Sequence, residues 1–553
     1  MSKRIVLRRG IILVLLLNFT LNSVSGIDLI EERTMDENPG EIIDISFSNQ
    51  YPTLGQPVII SITLKGNPIG KRFDELLNIS DDFEGLIVKS NGIEWKSGFV
   101  NIDEILVKIG RLPFYIKKIR WYPVVVGNHT LRFKAGSFPE KIRNVSVSFD
   151  TQNIIYPSLG CPSMISLDEI DDLHIAISEE RLITEDILEI QNAELETIDG
   201  ASTYALDNQS IFFSTWLQLG EDKVEDELIV SFDISAVPCD FYNLSITTSK
   251  DNYSWPHSVK IIDEEPSEYS VIQLTDTHIG KSYNLINEKN RLEYEIRVIN
   301  EVVQPDFVFL SGDIIDWCRV GQVRNFWNDI QEVLYICKTP IFTTTGNHER
   351  YENGIYRLYT PFINLTYYHR YLNPLNDYAF DYGGINYVLL DSGYDYNKLE
   401  FVRNLLNPTP EASGLTNMQM YLLENEWGNS TKNQIITMHH PAVNDVDDFG
   451  LFSVDDGLPS GNDECIAFNR AEFIEYCREN NATLVLSGHT HDNKVLDYLG
   501  EEASNPYEWP LFVQTDSATL KRVDRGGRII QIKNGEIESY DYVPLVTNIG
   551  FYP

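Results

Sequence analysis

Five short polar motifs constrain the fold of this chain more than any other feature, because each follows an apolar, β-like run. In chain order they are Asp276-x-His278, Gly312-Asp313-x-x-Asp316, Gly346-Asn347-His348-Glu349, His439-His440-Pro441 and Gly488-His489-x-His491. Six of the ten histidines lie in them. The loops beyond the carboxyl ends of strands converge at one edge of an α/β sheet. The pattern therefore predicts a single site built from five distant segments.

The region that contains the motifs alternates strand-like and helix-like segments from Ser270 onward. Apolar runs predict strands over 271–274, 307–310, 341–344, 434–437, 483–486, 512–514 and 529–532. Helical spacing of apolar residues predicts helices over 287–303, 323–336, 417–427 and 467–477, with Thr416 as an N-cap. This alternation is typical of an α/β domain.

The region before Ser270 is instead rich in short strands with turn signals, which favours β-sandwich modules. A Trp-x-Pro, Gly and alternating-strand pattern from Trp121 to Phe133 resembles immunoglobulin-like modules. The polar, Pro-containing segment 264–268 is a plausible linker. We expect a signal peptide over 1–26, a β-sandwich module over 27–150, a second β-rich module over 151–265 and a catalytic domain over 266–553. A single domain formed by the two β-rich stretches is the alternative.

Length and charge limit the classes of function. A chain of 553 residues is too long for one hydrophobic core. The formal net charge of −38 argues against a general binder of nucleic acid or of anionic membranes, which would carry a basic face. It does not exclude an anionic substrate, because exposed charges are screened over about 8 Å at physiological salt.

The amino terminus resembles an export signal. Four basic residues precede an apolar run over 11–17, and small residues near Gly26 could mark a cleavage site. We therefore expect a secreted or extracytoplasmic protein, with an uncleaved membrane anchor as the alternative. Nine Asn-x-Ser/Thr triplets follow the signal and are compatible with a glycoprotein.

Six cysteines follow the signal, and an oxidising compartment would permit disulfides between them. Pairing of neighbours along the chain would keep each disulfide within one domain. Free, buried thiols are an equally good interpretation. None of the cysteines falls in the five motifs.

The motifs offer carboxylate, amide and imidazole groups and no thiolate, which is the ligand chemistry that a pair of hydrolytic divalent metals requires. Ligands of this kind accept Mn, Fe, Zn or Co, and the identity of the metal stays open. One Gly-Asp or Gly-His pair would carry no information. Five motifs in order, each at a strand end, are a specific signal.

The series resembles the calcineurin-like metallophosphoesterase superfamily over about residues 270–545. The resemblance implies a four-layer α/β/β/α domain with two metal ions. It implies that one ion is held by Asp276, His278, Asp313 and His491 and the other by Asp313, Asn347, His439 and His489. Asp313 would then bridge the two ions.

The resemblance also implies roles for residues beside the ligands. His348 would face the substrate, and Asp316 would orient its ring and favour the charged form, which suits protonation of a leaving group. Glu349 is expected to support the ligands from behind. His440 is expected to pack or to line the mouth of the site, with His439 rather than His440 as the ligand.

One departure narrows the resemblance within the superfamily. Purple acid phosphatases carry a Tyr ligand where Asp316 stands here, and His278 occupies a position where they usually have none. A redox-coloured iron centre is therefore not expected.

The predicted function is an exported two-metal phosphoesterase that hydrolyses a phosphomonoester or phosphodiester by attack of a metal-bound hydroxide. Its expected partner is a phosphate-ester substrate, without nucleic acid. The β-modules could contact a surface or a glycan. Two alternatives stay open: a non-catalytic surface-binding protein with a relic phosphoesterase domain, and a metal-dependent nuclease.

Overall fold

The computed structural model describes residues 41–47, 58–65, 77–81, 86–89, 99–109, 112–121, 127–135, 139–147, 154–168, 172–177, 190–206, 210–214, 227–248, 252–281, 288–316, 323–350, 365–393, 413–428, 432–445, 464–505, 508–520 and 525–545. The predicted signal segment 1–26 lies outside these residues, as do Cys318 and the candidate glycosylation sites Asn208, Asn364 and Asn429.

The first region consists of eight described strands in two antiparallel sheets. The strands are Glu41–Phe47 (β1), Val58–Lys65 (β2), Leu77–Asp81 (β3), Leu86–Lys89 (β4), Phe99–Ile109 (β5), Leu112–Trp121 (β6), Gly127–Ala135 (β7) and Lys141–Val147 (β8). The sheet orders are β1-β2-β6-β5 and β4-β3-β7-β8. Alternate residues of facing strands, such as Ile60, Ile62, Leu131 and Phe133, are buried in one core. The predicted β-sandwich is confirmed.

The second region consists of nine described strands. They are Ile154–Tyr156 (β9), Ser163–Ser166 (β10), Asp172–Ile177 (β11), Ile190–Thr197 (β12), Thr203–Ala205 (β13), Ser210–Ser214 (β14), Glu227–Asp233 (β15), Phe241–Thr248 (β16) and Asn252–Ile262 (β17). They form sheets of order β10-β17-β16-β12-β13 and β14-β15-β11-β9. The pairing is antiparallel except between β10 and β17.

The third region contains two mixed sheets. Its described strands are Glu268–Leu274 (β18), Phe307–Ser311 (β19), Ile341–Thr344 (β20), Tyr378–Tyr382 (β21), Ile385–Leu389 (β22), Asn433–Thr437 (β23), Ala482–Ser487 (β24), Lys494–Leu496 (β25), Leu511–Gln514 (β26), Gly526–Lys533 (β27) and Glu536–Pro544 (β28). One sheet has the order β20-β19-β18-β27-β28 and the other β21-β22-β23-β24-β26-β25. The strands that carry the motifs run parallel within each sheet.

Five α-helices are described in the third region. They are Glu288–Val298 (α1), Val323–Leu334 (α2), Thr366–Tyr371 (α3), Asn417–Leu422 (α4) and Arg470–Glu479 (α5). A π-helical turn continues α1 over Ile299–Val303 and another continues α4 over Leu423–Trp427. Thr416 caps α4 as predicted, because its side chain accepts from the Gln419 N–H while the Gln419 side chain accepts from the Thr416 N–H.

These elements form four layers, as the alternation of side chains along β18 shows. Ile272 is buried on the side of α1 and α2, in the core that includes Leu292 and Ile330. Val271 is buried on the opposite side, in the core shared with the second sheet. The outer face of that second sheet packs on α4 and α5 in a third core. The predicted α/β/β/α fold is confirmed, and double-sided burial explains why its strands are continuous apolar runs.

The described cysteines are all free. Cys161, Cys337, Cys465 and Cys477 are buried and Cys239 is exposed. Pairing of Cys161 with Cys239, or of Cys465 with Cys477, is therefore wrong. Burial raises the pKa of the Cys337 thiol to about 12, so this group stays a neutral, apolar filler of the core.

The sheets change at two places along the chain, after Val147 and after Ile262. The domain boundaries at 150 and 265 stay predictions. No helix among the described residues is both long and apolar enough to cross a membrane.

We expect His257, which lies in β17 and contacts the third region, to make the protein less stable in mild acid. The His257 ring lies 5.9 Å from that of Tyr335, and burial lowers its pKa to about 4 despite a hydrogen bond to the Cys337 backbone. The unfolded chain takes up this proton near pH 6.5. The free energy of unfolding should therefore fall between pH 6.5 and pH 4.

The measurement is chemical unfolding of wild type and of His257→Asn, which is neutral at every pH and tolerates the left-handed φ of 51° at this position. Between pH 7 and pH 5 the wild type should lose about 2 kcal/mol more than the variant. Equal losses in the two proteins would show that His257 is not held neutral.

Candidate metal centre

All five motifs lie at the carboxyl ends of parallel strands. Asp276 follows β18, Asp313 follows β19 and Asn347 follows β20, all in the first sheet of the third region. His439 follows β23 and His489 follows β24 in the second sheet. The two sheets pack face to face through a shared core, so their strand ends meet at one edge of the domain.

A first group of ligands is formed by Asp276, His278 and His491. The Nε2 atoms of His278 and His491 are 3.1 Å apart, and the His491 Nε2 is 3.1 Å from Oδ1 of Asp276. The ligand atoms of the three residues all lie within 4.8 Å of one another. These are three of the four residues that the family resemblance assigns to one ion, the fourth being Asp313.

Asp313 lies between this group and the other predicted ligand set, to which His439 and His489 belong. Its Oδ2 is 3.6 Å from Nε2 of His278, and its Oδ1 is 3.3 Å from Nε2 of His439. The ring of His439 lies 5.2 Å from that of His489, centroid to centroid. One carboxylate thus faces imidazoles of both predicted ligand sets, as a bridging ligand would.

One buried ligand atom of the second set, Oδ1 of Asn347, has no hydrogen-bond partner among the described residues. A buried polar atom without a partner costs about 1–3 kcal/mol, and such atoms in native proteins are usually explained by an ion, a water or a function. A divalent cation would satisfy this oxygen, so the residues present fit a metal.

The backbone of the ligand loops is unusual. Ten non-glycine residues among those described have a positive φ, and half of them are predicted ligands. These are Asp276 (54°), His278 (43°), Asp313 (50°), His489 (68°) and His491 (54°). Such conformations cost about 1–3 kcal/mol each and concentrate at functional sites.

Glycines let these loops approach one another closely. A Cβ on Gly346 would lie 2.4 Å from Oδ1 of Asp313, and a Cβ on Gly488 would lie 2.5 Å from Oδ2 of Asp276. Any side chain at either position would push a carboxylate out of place. The glycines of the motifs are therefore needed for space beside the ligands.

Asp316 contacts two of the site histidines. Its Oδ1 lies 3.3 Å from Nδ1 of His278 and 3.4 Å from Nδ1 of His348. The other nitrogen of each ring is directed toward Asp313, at 3.6 Å for His278 and 3.7 Å for His348. The structure thus brings the predicted pair His348 and Asp316 together, and adds His278 to it.

The charges of the site are tightly balanced. Burial alone would lower the pKa of His278, but its hydrogen bonds with Asp276 and Asp316 raise it to about 9. Burial likewise opposes the charge on His439, yet Asp313 raises that pKa to about 10. Without ions, protonated imidazoles hold positive charge beside the carboxylates. Bound cations would take over this role and displace the protons.

Comparison with known proteins assigns the domain that carries this site. Residues 269–493 match the family model of the calcineurin-like phosphoesterases. The third region belongs to this superfamily. It is the domain of a metal-dependent hydrolase that acts on phosphoric esters. No curated protein matches the chain in sequence.

Several solved structures are distant likenesses. A purple acid phosphatase, PPD1 from yellow lupin (Lupinus luteus) seeds, is 13% identical, covers 91% of this chain and 96% of its own, and has a TM-score of 0.38. The first two immunoglobulin domains of DIP-gamma are 9% identical, cover 39% of this chain and 97% of their own, and have a TM-score of 0.19. Likenesses this distant carry no weight for the activity.

In the phosphoesterase domain, Glu349 supports the ligand loops. The sequence predicts this support but not its hydrogen-bond partners. The Glu349 carboxylate is buried and accepts four backbone N–H groups. Its Oε2 accepts from Asp313 (2.9 Å) and Gly346 (2.6 Å), and its Oε1 from Ile314 (2.7 Å) and Ile315 (3.2 Å). Glu349 thereby joins the loop after β19 to the turn after β20.

Other contacts were missed by the sequence analysis. The Ser392 hydroxyl lies 3.1 Å from Nδ1 of His440 and accepts from its backbone N–H. The Ser517 hydroxyl donates to the Asp276 carbonyl, and the Thr345 hydroxyl donates to Asp391. Serine and threonine in polar loops give no distinctive pattern, so their partners could not be found from the sequence.

His440 is fully buried and lies beside the ligands. Its ring is 4.5 Å from that of His489, centroid to centroid, and its ligand atom lies within 4.8 Å of those of His439 and His489. His440 thus packs against the predicted ligand His489, and the choice of His439 rather than His440 as the ligand stays a prediction.

We expect Glu349→Gln to destabilise the protein and weaken its metal binding. Each carboxylate oxygen accepts from two N–H groups, so an amide nitrogen in either position would face two donors. Two buried N–H groups would lose their acceptor at about 1–3 kcal/mol each. Urea unfolding should show a loss of at least about 2 kcal/mol, and the content of bound metal should fall.

The matched control is Glu349→Asp, which keeps the negative charge and both acceptor oxygens on a shorter chain. It should lose less stability than the Gln variant. If Glu349→Gln unfolds like the wild type and keeps all of its metal, the carboxylate does not hold the two loops together.

Proposed function

We propose that this protein is an exported two-metal phosphoesterase that hydrolyses a phosphomonoester or a phosphodiester. The proposal rests on one observation: the Asp313 carboxylate lies beside Asp276, His278 and His439, and the predicted ligands His489 and His491 contact these in turn. The buried Oδ1 of Asn347, which has no hydrogen-bond partner among the described residues, supports it further. Export is supported by the amino-terminal sequence alone.

Asp276, His278, Asp313 and His491 would hold one ion, and Asp313, Asn347, His439 and His489 the other. When bound, the ions would supply Lewis acidity and an activated water. Nitrogen and oxygen ligands of this kind suit Mn, Fe, Zn or Co. Asn347 contributes a neutral oxygen, which limits the negative charge that an approaching phosphate meets.

His348 would act on the substrate. Its side chain is 13% exposed, whereas those of His278 and His439 are exposed by 1% or less, so it reaches the surface of the site. Asp316 contacts the ring at Nδ1, and Nε2 is directed into the site, 3.7 Å from Oδ2 of Asp313. A protonated Nε2 would donate to a phosphoryl oxygen or to the leaving group, as a general acid does.

The direct test is hydrolysis of p-nitrophenyl phosphate and bis(p-nitrophenyl) phosphate with each candidate metal. The expected result is metal-dependent turnover of at least one of them, and the ratio of the two rates assigns the ester class. A protein that binds two ions and hydrolyses neither would favour the non-catalytic alternative. Cleavage of single-stranded DNA alone would favour the nuclease.

We expect Asp313→Asn to empty or scramble both ion positions, because one carboxylate serves both ligand sets. Metal analysis after dialysis should find fewer than two ions per chain. Asp381→Asn, in β21, is the control and should keep both ions, because that side chain is 49% exposed and contacts Lys432. Two retained ions in Asp313→Asn would contradict the bridging role.

We expect His348→Gln to lower turnover by about 10²–10⁴-fold with both ions retained, since that is the range for losing acid–base assistance. Asp316→Asn should lose as much, but it also disturbs His278. The His348 variant therefore tests the general-acid role without disturbing His278. Wild-type turnover in His348→Gln would exclude a catalytic role for this pair.

A further inference from the structure

The strand that ends at the Asn347–His348 turn is an edge strand. β20 is the outermost strand of the first sheet, and β19 covers only one of its sides. On the other side, the Thr343 N–H donates to the Gly160 carbonyl at 2.8 Å. The Gly160 N–H in turn donates to the Leu372 carbonyl at 2.8 Å. A loop of the second β region thus pairs with the open edge of the catalytic sheet.

Buried side chains close around this pairing. The Tyr378 hydroxyl lies 2.9 Å from the Thr343 carbonyl and 3.1 Å from that of Gly160. The Tyr368 hydroxyl lies 2.7 Å from Oγ1 of Thr343. The Asn373 amide donates to the Gly160 carbonyl at 3.3 Å. The Thr343 N–H and the Asn373 amide are buried and would lose their acceptor if the loop moved away, whereas the two tyrosines would keep Thr343 as a partner.

The approach is too close for any residue but glycine. A Cβ on Gly160 would lie 2.4 Å from Oγ1 and 3.2 Å from Cγ2 of Thr343, and 2.9 Å from Cβ of Asn373. Glycine is required here for space, since its φ is not in the left-handed region. The contact between the two regions therefore depends on the absence of a side chain at position 160.

The hydrophobic core continues across the same contact. Ile155 and Cys161 of the second region belong to the buried cluster that contains Phe342 and Leu375 of the phosphoesterase domain. At another point of the junction, the Glu265 carboxylate accepts the Gly383 N–H at 2.8 Å. The segment predicted as a linker is thus tied to the catalytic domain.

We propose that the loop Ser158–Cys161 is a positioning element of the active site. It fixes Thr343 in β20, four residues before the predicted ligand Asn347 and five before His348. The second β region is on this account a structural part of the catalytic unit and not a separate binding module. The effect on turnover rests on the proposed phosphoesterase activity, whereas the effect on metal binding does not.

The test is Gly160→Ala in the full chain. The added methyl group should push Thr343 and displace the turn after β20. Misplacement by about 1 Å can cost 10²-fold in rate, so turnover at saturating metal should fall by about 10–100-fold. Titration with Mn²⁺ or Zn²⁺ against a chelator should show weaker binding of at least one ion.

The matched control is Gly200→Ala in the turn between β12 and β13. A methyl group there meets only Glu196 at 3.7 Å, but the φ of +70° strains any residue other than glycine. This variant should lose about 1 kcal/mol of stability while its metal affinity and turnover stay those of the wild type. It separates loss of stability in the second region from displacement of the site.

A second variant tests the contact itself. Thr343→Ala removes Oγ1 and Cγ2, two of the three atoms that the new methyl group would meet, and Tyr368 can still donate to the Thr343 carbonyl at 3.1 Å. The double variant Gly160→Ala/Thr343→Ala should therefore recover most of the lost metal affinity. If Gly160→Ala loses stability only, as Gly200→Ala does, the positioning role is refuted. If wild type binds metal but hydrolyses no ester, the proposed function fails and the metal titration still decides this inference.

Discussion

The rest of this site depends on the contacts of one carboxylate, that of Asp313, with histidines from three other segments. Its two oxygens face His439 on one side and His278 and His348 on the other, at 3.3–3.7 Å. A carboxylate buried in this way is stable only beside positive charge. The His278 and His439 imidazoles, whose pKa values are raised to about 9 and about 10, supply that charge in the protein alone, and two cations would supply it in the loaded enzyme.

Asp313 is held there by an unfavourable backbone conformation, and hydrogen bonds offset part of its free-energy cost. Asp313 and four other predicted ligands adopt left-handed φ values. The strained loop after β19 is held by Glu349, whose carboxylate accepts the N–H groups of Asp313, Ile314 and Ile315. The side chain that follows His348 in the sequence therefore stabilises the loop that carries the bridging ligand.

The same principle extends outward to the second β region. Gly160 completes the edge of β20, and Glu349 lies five residues after the end of that strand. The turn with Asn347 and His348 is thus fixed on one side by the catalytic domain and on the other by the preceding region. The second β region therefore contributes to the rigidity of the site.

The sequence by itself determined the ligand types, their order and the α/β class of the domain, and the four layers followed from the family resemblance. Motifs that follow strands must gather at the carboxyl edge of a sheet, and continuous apolar runs such as 307–310 indicate strands that are buried on both faces. Thr416 was readable as a helix start because capping is local in the chain.

Only the tertiary structure decided the contacts between residues far apart in sequence. The acceptor role of Glu349, the contact of Asp316 with His278, the packing of His440 on His489 and the pairing of Gly160 with Thr343 leave no periodic trace. Neighbour pairing of the cysteines was wrong for the described residues because nothing in their spacing shows which of them face each other. Local patterns record which groups a segment offers, whereas packing determines which partner each group meets.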